Sequence, residues 1–163
     1  MFLNLNEVVK SIDKMLQRLI NQNIELKFIL GKQIGLIKAG PGQVEQVLMN
    51  LVVNACHAMP NGGDLIIETQ NVTLDEKYAR IKADSSAGNY VMLSCADSGM
   101  GMTDEVKARL FEVFFTTKPK GKGTGLGLAT CRTILKQWGG HISVHSELGK
   151  VSTFEVYFPR VEP

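Results

Sequence analysis

The sequence lacks any grouping of cysteines that would indicate a metal site or a disulfide framework. Its three cysteines, Cys56, Cys95 and Cys131, are odd in number and far apart, and no CxxC pair is present. Disulfide-rich secreted domains need an even set of cysteines, and cysteine-ligated metal sites need close pairs. We therefore exclude both classes and expect a reducing cytoplasm as the compartment of this domain.

The sequence also lacks a long apolar run and a marked excess of charge of either sign. No segment approaches the roughly 20 apolar residues of a membrane-spanning helix, and no charged-then-apolar signal segment follows Met1. Lysine and arginine total 18 against 16 aspartates and glutamates, so the broad basic face of a nucleic-acid binder is absent. We expect a soluble domain that contacts neither nucleic acid nor, by itself, a membrane. A longer protein containing it can still be membrane-anchored.

The length and the apolar periodicity predict a single α+β domain. A chain of 163 residues can bury roughly 70% of its unfolded surface around one core, and we find no internal repeat. Apolar spacing of three and four residues predicts helices over 5–22, 43–59, 103–110 and 126–138. Alternating apolar residues predict strands over 24–30, 65–73, 90–96, 141–146 and 152–158. Residues 34–38 are expected to form a short companion of strand 24–30 across the Gly31 turn, and 74–89 a hairpin loop.

Two asparagines lie one turn apart on the second predicted helix. Asn50 and Asn54 share a face because residues four apart lie on the same side of a helix. Their neighbours at 51–53 and 55 are apolar, which leaves little room for a wide solvated stripe. We expect the pair to face a cavity, where an amide oxygen can ligate a hard cation such as Mg²⁺ together with nucleotide phosphates. The alternative is two polar residues on a solvent-facing surface.

An aspartate followed by two glycines stands at the end of an apolar strand. Asp97 precedes Gly99 and Gly101, and glycine lets backbone approach a flat ligand closely. A carboxylate at this position can accept a hydrogen bond from the exocyclic amine of adenine. Guanine would place a carbonyl oxygen there and set two acceptors against each other. The alternative is a simple turn between a strand and a helix.

A second glycine run opens the last of the predicted helices. Gly123, Gly125 and Gly127 precede an apolar-periodic segment, and the free N–H groups and positive dipole end of a helix suit a phosphate. Three lysines stand just before this run: Lys118, Lys120 and Lys122. They can neutralise a polyphosphate. The alternatives are a flexible linker and solvated lysines.

In this order the motifs resemble those of the catalytic ATP-binding domain of sensor histidine kinases, within the larger group that includes gyrase-type and Hsp90-type ATPases. Residues 46–55 resemble the N box of the family, 97–101 its first glycine box, 111–117 its F box and 123–128 its second glycine box. The closing strands are matched by 139–142 and 154–159, so the similarity covers nearly the whole chain from about Leu5 onward.

The resemblance implies a two-layer α/β sandwich of the Bergerat type. A mixed, mostly antiparallel sheet of about five strands would be covered on one face by about three helices, with a mobile ATP lid. Residues 1–163 would form one catalytic ATP-binding domain, in which 1–4 belong to a linker and 102–123 contain the lid.

The resemblance also assigns roles to individual residues. Asn54 would hold Mg²⁺, Asn50 would assist at the phosphates of ATP, and Asp97 would read adenine. The other nucleotide-binding residues that it implies are Gly99, Gly101, Met102, Lys118, Gly123, Thr124, Gly125, Leu126, Gly127, Leu128 and Ser152.

Two positions depart from the pattern of the family. His57 stands where a basic residue often reaches phosphate, and a partly buried structural histidine is the alternative to that role. Val151 replaces a usual glycine, which leaves the contact of Ser152 with the adenine region open.

The family also requires a phosphoacceptor histidine. The only histidines are His57, His141 and His145, and none lies in the kind of helical segment where such kinases accept the phosphoryl group. We expect the acceptor on a separate dimerisation domain of the same kinase, and a response regulator receiver domain as the downstream partner in two-component signalling.

Other functions compete with a kinase. An ATP-hydrolysing clamp of the gyrase or Hsp90 kind has a glutamate as general base one turn before its magnesium-binding asparagine. This chain has Asn50 there, and an amide cannot take a proton. Glu45 lies nine residues before Asn54, on about the opposite side of the helix. A non-catalytic nucleotide-sensing module and a serine kinase of the anti-sigma type are the remaining alternatives.

Overall fold

The computed structural model describes residues 2–77, 86–112 and 127–161. Within these ranges the chain forms seven strands and four helices. The strands are β1 (Phe2–Leu3), β2 (Ile24–Leu30), β3 (Leu36–Lys38), β4 (Gly63–Leu74), β5 (Gly88–Asp97), β6 (His141–His145) and β7 (Ser152–Val161). The helices are α1 (Leu5–Leu19), α2 (Pro41–Ala58), α3 (Asp104–Arg109) and α4 (Gly127–Gln137).

The strands form one mixed sheet in the order β1-β3-β7-β5-β4-β2, with β6 also paired to β7. The long central pairs β4–β5 and β5–β7 are antiparallel, and β2 runs parallel to β4. Strands β4 and β5 pair with Leu74 opposite Gly88, so both strands extend into the predicted loop over 74–89. Residues 78–85 of that loop lie outside the described residues.

The predicted pairing of residues 34–38 with strand 24–30 is wrong. Strand β3 instead pairs with β1 and β7. The reason is visible at Gly31, whose backbone N–H donates to the carbonyl oxygen of Thr69 at 3.0 Å and so continues the parallel ladder of β2 with β4. The chain therefore does not turn back on β2 at this glycine.

Local sequence signals place the helix ends. Helix α1 begins after Asn4, whose side chain accepts a hydrogen bond from the backbone N–H of Asn6 at 2.9 Å. Helix α2 begins at Pro41, two residues before the predicted start, because proline at the first helical position loses no hydrogen bond. The side chain of Thr103 caps α3 by accepting from Val106 N–H at 3.2 Å.

One hydrophobic core lies between the sheet and the helices α1, α2 and α4. Alternate residues of the central strands point into it: Val91, Leu93 and Cys95 from β5, and Phe154, Val156 and Phe158 from β7. The face of α2 that packs on them consists of Val44, Val47, Leu48, Leu51, Val52 and Ala55. A smaller cluster of Tyr90, Met92 and Tyr157 lies on the other face of the sheet.

The predicted two-layer α+β class is therefore confirmed. The predicted number of about five strands is too low, because β1 with two residues and β3 with three, the latter within the expected short strand 34–38, extend the sheet beyond β7. Three of the helices bury residues in the core, as expected, and α3 buries none. Among the residues described, no helix combines the length and apolar character needed to cross a membrane.

Candidate functional site

Helix α2 carries the two predicted asparagines on a surface that a ligand can reach. Asn50 and Asn54 are both half-buried, although their neighbours Leu51, Val52 and Ala55 are fully packed in the core. The Nδ2 atom of Asn50 donates to the carbonyl oxygen of Gly127 at 3.2 Å. The asparagine surface is thereby joined to the first turn of α4.

Helices α2 and α4 lie against each other along several turns. The Sγ atom of Cys131 lies 3.8 Å from the carbonyl oxygen of Val47, one turn away from the contact of Asn50 with Gly127. A side chain at Gly127 would come no closer than 3.9 Å to Asn50, so the N-terminal end of α4 approaches the amide without crowding it. The first described turn of α4 lies beside Asn50, and the N-terminal end of a helix suits an anion.

Asp97 is the last residue of β5 and is almost completely buried, with 2% of its surface exposed. Among the described residues its carboxylate accepts one hydrogen bond, from Gly99 N–H at 2.9 Å. Burial raises the pKa of Asp97 because the charged form loses water, and the bond from Gly99 opposes that rise. A carboxylate can accept several hydrogen bonds, so capacity remains for a donor on a ligand.

The glycines that follow Asp97 are required by packing between protein segments. A Cβ atom at Gly99 would lie 2.5 Å from the carbonyl oxygen of Ala58, and one at Gly101 would lie 1.8 Å from that of Glu147. Gly101 also has a φ of +73°, which L side chains rarely adopt. The loop after Asp97 is thus pressed against the end of α2 and the turn between β6 and β7. Close approach of these glycines to a ligand stays a prediction.

Ser152 lies directly opposite Asp97 in the pairing of β5 with β7, so both side chains project from the same face of the sheet. Ser152 is 3% exposed, and its Oγ atom lies 2.6 Å from that of Ser146. The sequence analysis missed Ser146 because no motif marks it. It also missed Ser98, whose Oγ accepts from Asp64 N–H at 2.9 Å and ties the loop after Asp97 to β4.

The remaining predicted residues divide into described and undescribed ones. Met102 is half-buried against the core, and Leu128 is half-buried in the first turn of α4. Lys118, Gly123, Thr124, Gly125 and Leu126 lie outside the described residues, as does the predicted lid beyond Glu112.

The alternative of a partly buried structural histidine does not hold for His57. Its side chain is exposed, because it follows the exposed Val53 by four residues and so shares the solvent-facing side of α2. The sequence alone did not show which side of this apolar helix meets solvent.

The described residues contain no group of three or more His, Cys, Asp and Glu side chains that could hold a metal ion. Magnesium at a nucleotide site does not require such a group, because one or two protein oxygens together with phosphates and water complete its octahedron. The accessible amide oxygens of Asn50 and Asn54 fit that role.

Comparison with known proteins agrees with this geometry. The family model described as histidine kinase-, DNA gyrase B-, and HSP90-like ATPase matches residues 39–162. Sensor kinase CckA of Brucella abortus (strain 2308) is 42% identical over 159 residues, which are 98% of this chain and 17% of CckA. Sensor histidine kinase ZraS of Salmonella typhi is 33% identical over 157 residues, which are 96% of this chain and 30% of ZraS. The chain thus spans less than a third of the length of these relatives.

Solved structures share the fold. The nucleotide-free catalytic domain of histidine kinase ThkA superposes with a TM-score of 0.74 at 27% identity, covering 99% of this chain and 98% of that domain. The mycobacterial sensor histidine kinase MprB gives a TM-score of 0.78 at 18% identity over the full length of both chains, which supports the fold alone.

Proposed function

Because the chain belongs to the family of histidine kinase-, DNA gyrase B- and HSP90-like ATPases, we propose that it binds Mg-ATP and donates the γ-phosphoryl group to a histidine on a separate phosphoacceptor domain. The observation that carries this proposal is the junction of Asn50 with Gly127. It joins the half-buried Asn50, one turn from Asn54, to the first described turn of α4, within one domain that also holds the buried carboxylate of Asp97.

Asp97 recognises the adenine ring in this proposal. Its carboxylate accepts a hydrogen bond from the exocyclic amine, and the low exposure of the group strengthens that bond relative to one in water. A buried carboxylate rejects the carbonyl oxygen of guanine, because two acceptors would face each other without a proton between them.

Asn54 and Asn50 serve the phosphate end. The amide oxygen of Asn54 would hold Mg²⁺, and the ion would supply positive charge at the phosphate oxygens. Asn50 and the first turn of α4 orient the phosphate chain through neutral donors. Catalysis then consists mainly of positioning, since phosphoryl transfer requires little covalent chemistry from the protein.

Transfer is favoured over hydrolysis because no carboxylate of α2 lies on the face of Asn50 and Asn54 to act as a general base. Asn50 cannot take a proton, and Glu45 lies nine residues before Asn54, on about the opposite side of the helix. An ATP-hydrolysing clamp and a nucleotide-sensing module without transfer are the competing functions.

His141 and His145 are poorly suited to accept the phosphoryl group, and His57 lies on α2 itself, outside the kind of helical segment where such kinases accept it. His141 is 6% exposed and stacks on Tyr157 with ring centroids 4.5 Å apart, and His145 contacts Glu155 on the outer face of the sheet. Neither lies on α2 or α4. The acceptor is therefore placed on another domain of the same kinase, and a response regulator receives the group afterwards. The three free cysteines fit the reducing cytoplasm, where we place this reaction.

Labelled ATP and a separately produced phosphoacceptor domain test the proposal. We expect acid-labile, base-stable label on the acceptor, and a loss of about a hundredfold in transfer rate for Asn54→Ala, the usual effect of removing one group that stabilises transition-state charge. Asn21→Ala, at an exposed position outside the site, is the matched control and should transfer normally. Rapid phosphate release without the phosphoacceptor domain would instead identify an ATP-hydrolysing clamp. Binding of ATP without transfer or release would identify a nucleotide-sensing module.

A further inference from the structure

The ends of α2 and α4 that lie away from Asn50 are joined by three side chains. Trp138 Nε1 donates to Gln43 Oε1 at 2.7 Å, and Gln43 Nε2 donates to Gln137 Oε1 at 3.0 Å. Gln43 lies in the first turn of α2, whereas Gln137 is the last residue of α4 and Trp138 follows it. We call these three residues the amide clamp.

The chemistry of the indole fixes the direction of both hydrogen bonds. An indole N–H can only donate, so it orients the oxygen of Gln43 toward Trp138 and the amide nitrogen toward Gln137. The local backbone leaves room for this arrangement, because a Cβ atom at Gly40 would lie 2.9 Å from Gln43 Oε1. Gln43 and Trp138 are half-buried, which limits competition from water at their hydrogen bond, whereas Gln137 is exposed.

The contacts between the two helices follow one another in antiparallel order. Gln43 meets Gln137, Val47 meets Cys131, and Asn50 meets Gly127. The seven residues from the clamp to Asn50 correspond to about 10 Å along the helix axis. The clamp therefore closes one end of the helix pair, and the phosphate end of the proposed nucleotide site occupies the other.

We propose that the amide clamp is a positioning device for the phosphate end of the site. It fixes the register of α4 against α2 and thereby holds the N-terminal end of α4 next to Asn50. The inference rests on the proposed function. Asp97 belongs to β5 and does not depend on this register, so loss of the clamp should weaken the binding of the triphosphate and leave the binding of adenosine unchanged.

Two variants remove the clamp in different ways, and a third preserves it. Gln43→Leu deletes both hydrogen bonds at similar size, and Trp138→Phe deletes the indole donor while keeping an aromatic ring. Gln43→Glu still accepts from Trp138, and its second oxygen accepts from the Gln137 amide once that amide rotates. We expect Mg-ATP affinity, measured by calorimetric titration, to fall about fivefold in the first two, the effect of one neutral hydrogen bond. Gln43→Glu should stay within about twofold of wild type.

Adenosine titrations separate positioning from a general loss of structure. Adenosine affinity should be equal in wild type and all variants. Gln17→Leu should change the affinity for neither ligand, since among the described residues Gln17 makes an exposed hydrogen bond to Asp13 at 3.2 Å. Should Gln43→Leu not fold, Trp138→Phe against Gln43→Glu carries the same comparison.

The outcomes distinguish the two proposals. Equal losses of affinity for ATP and adenosine, or no loss of ATP affinity in either deletion variant, would refute the positioning role of the amide clamp but not the proposed function. A wild-type chain that binds neither ligand would refute the proposed function, and with it the positioning role of the amide clamp.

Discussion

Asp97 is a carboxylate held at 2% exposure whose described partner is the backbone N–H of Gly99. Its pKa is raised mainly by burial. The folded chain therefore keeps the proton of this group at a higher pH than the unfolded chain does. Between the ordinary aspartate pKa and the raised one, the folded state binds more protons, so this residue makes stability fall as pH rises through that window.

We expect Asp97→Asn to raise the melting temperature of the unliganded chain at neutral pH, because the amide keeps an acceptor for Gly99 N–H and carries no charge to desolvate. The gain should vanish below pH 3.8, the ordinary pKa of aspartate. Thermal unfolding at both pH values checks this, with the exposed Asp64→Asn as control. A variant less stable than wild type at neutral pH would contradict the account.

The same variant should lose nucleotide discrimination, because an amide can present either a donor or an acceptor to the base. Wild type is expected to bind ATP more tightly than GTP, and Asp97→Asn to bind them with similar affinity. Calorimetric titration with both nucleotides measures the ratio. If wild type shows no preference, adenine recognition by Asp97 is wrong.

Comparing Gly101 with Gly149 separates the cost of backbone strain from the cost of steric crowding by a side chain. Both have positive φ, +73° and +80°, but a Cβ atom meets nothing within 4 Å at Gly149 and lies 1.8 Å from Glu147 oxygen at Gly101. Gly149→Ala should lose about 1–2 kcal/mol from strain alone, and Gly101→Ala more than about 3 kcal/mol. Urea denaturation compares them. Equal losses would show that the loop moves away at little cost.

At the scale of single residues, the sequence predicted the candidates that are marked by signals in the adjacent sequence. Asp97 and the asparagine pair were identified because strand, helix and glycine signals surround them. The reason for Gly101 was not predictable, because it depends on Glu147, which a turn far along the chain brings against it. Ser146 was missed because no motif marks it.

Among the elements, α3 depends most on local interactions. It has six residues, none of them buried, and Thr103 caps it. Thr103→Ala should destabilise this helix by about 1 kcal/mol. Amide hydrogen exchange in α3 should become several times faster while β5 keeps its protection, and Thr103→Ser should behave as wild type. Unchanged exchange in the alanine variant would show that packing maintains α3.

Element positions followed closely from apolar periodicity, since burial on one face leaves a local pattern. Strand β2 was predicted with its observed ends, and α4 within one residue at each end. The pairing partners of the strands were harder to predict from the sequence. The partner of β3 depends on Gly31 continuing its bond to Thr69, a contact between distant parts of the chain.

For the molecule as a whole, the cysteines report on the integrity of the core. Cys95 and Cys131 are buried and Cys56 is half-buried. Burial raises the pKa of Cys131 to about 12 and also raises that of Cys95. Since the thiolate is the reactive form, a thiol reagent should label Cys56 first and the other two only at the rate of global unfolding. Cys56→Ser should abolish the early phase, and simultaneous labelling of all three would contradict a cooperative core.

The overall class was predictable because four motifs in a fixed order constrain topology more than any single pattern does. The full number of strands was not, since β1 has only two residues and is too short to show a period. The extent of the domain, residues 1–163, stays a prediction.

The placement of β1 has a consequence for engineering. Leu3 pairs with Ile37, and Ile37 pairs with Arg160, so the first and last strands are separated by only two inter-strand spacings, about 10 Å. A linker of a few residues that joins the two ends would make a circular polypeptide. The domain is thereby suited to circular permutation and to insertion into a loop of another protein, where the two ends of that loop lie close together.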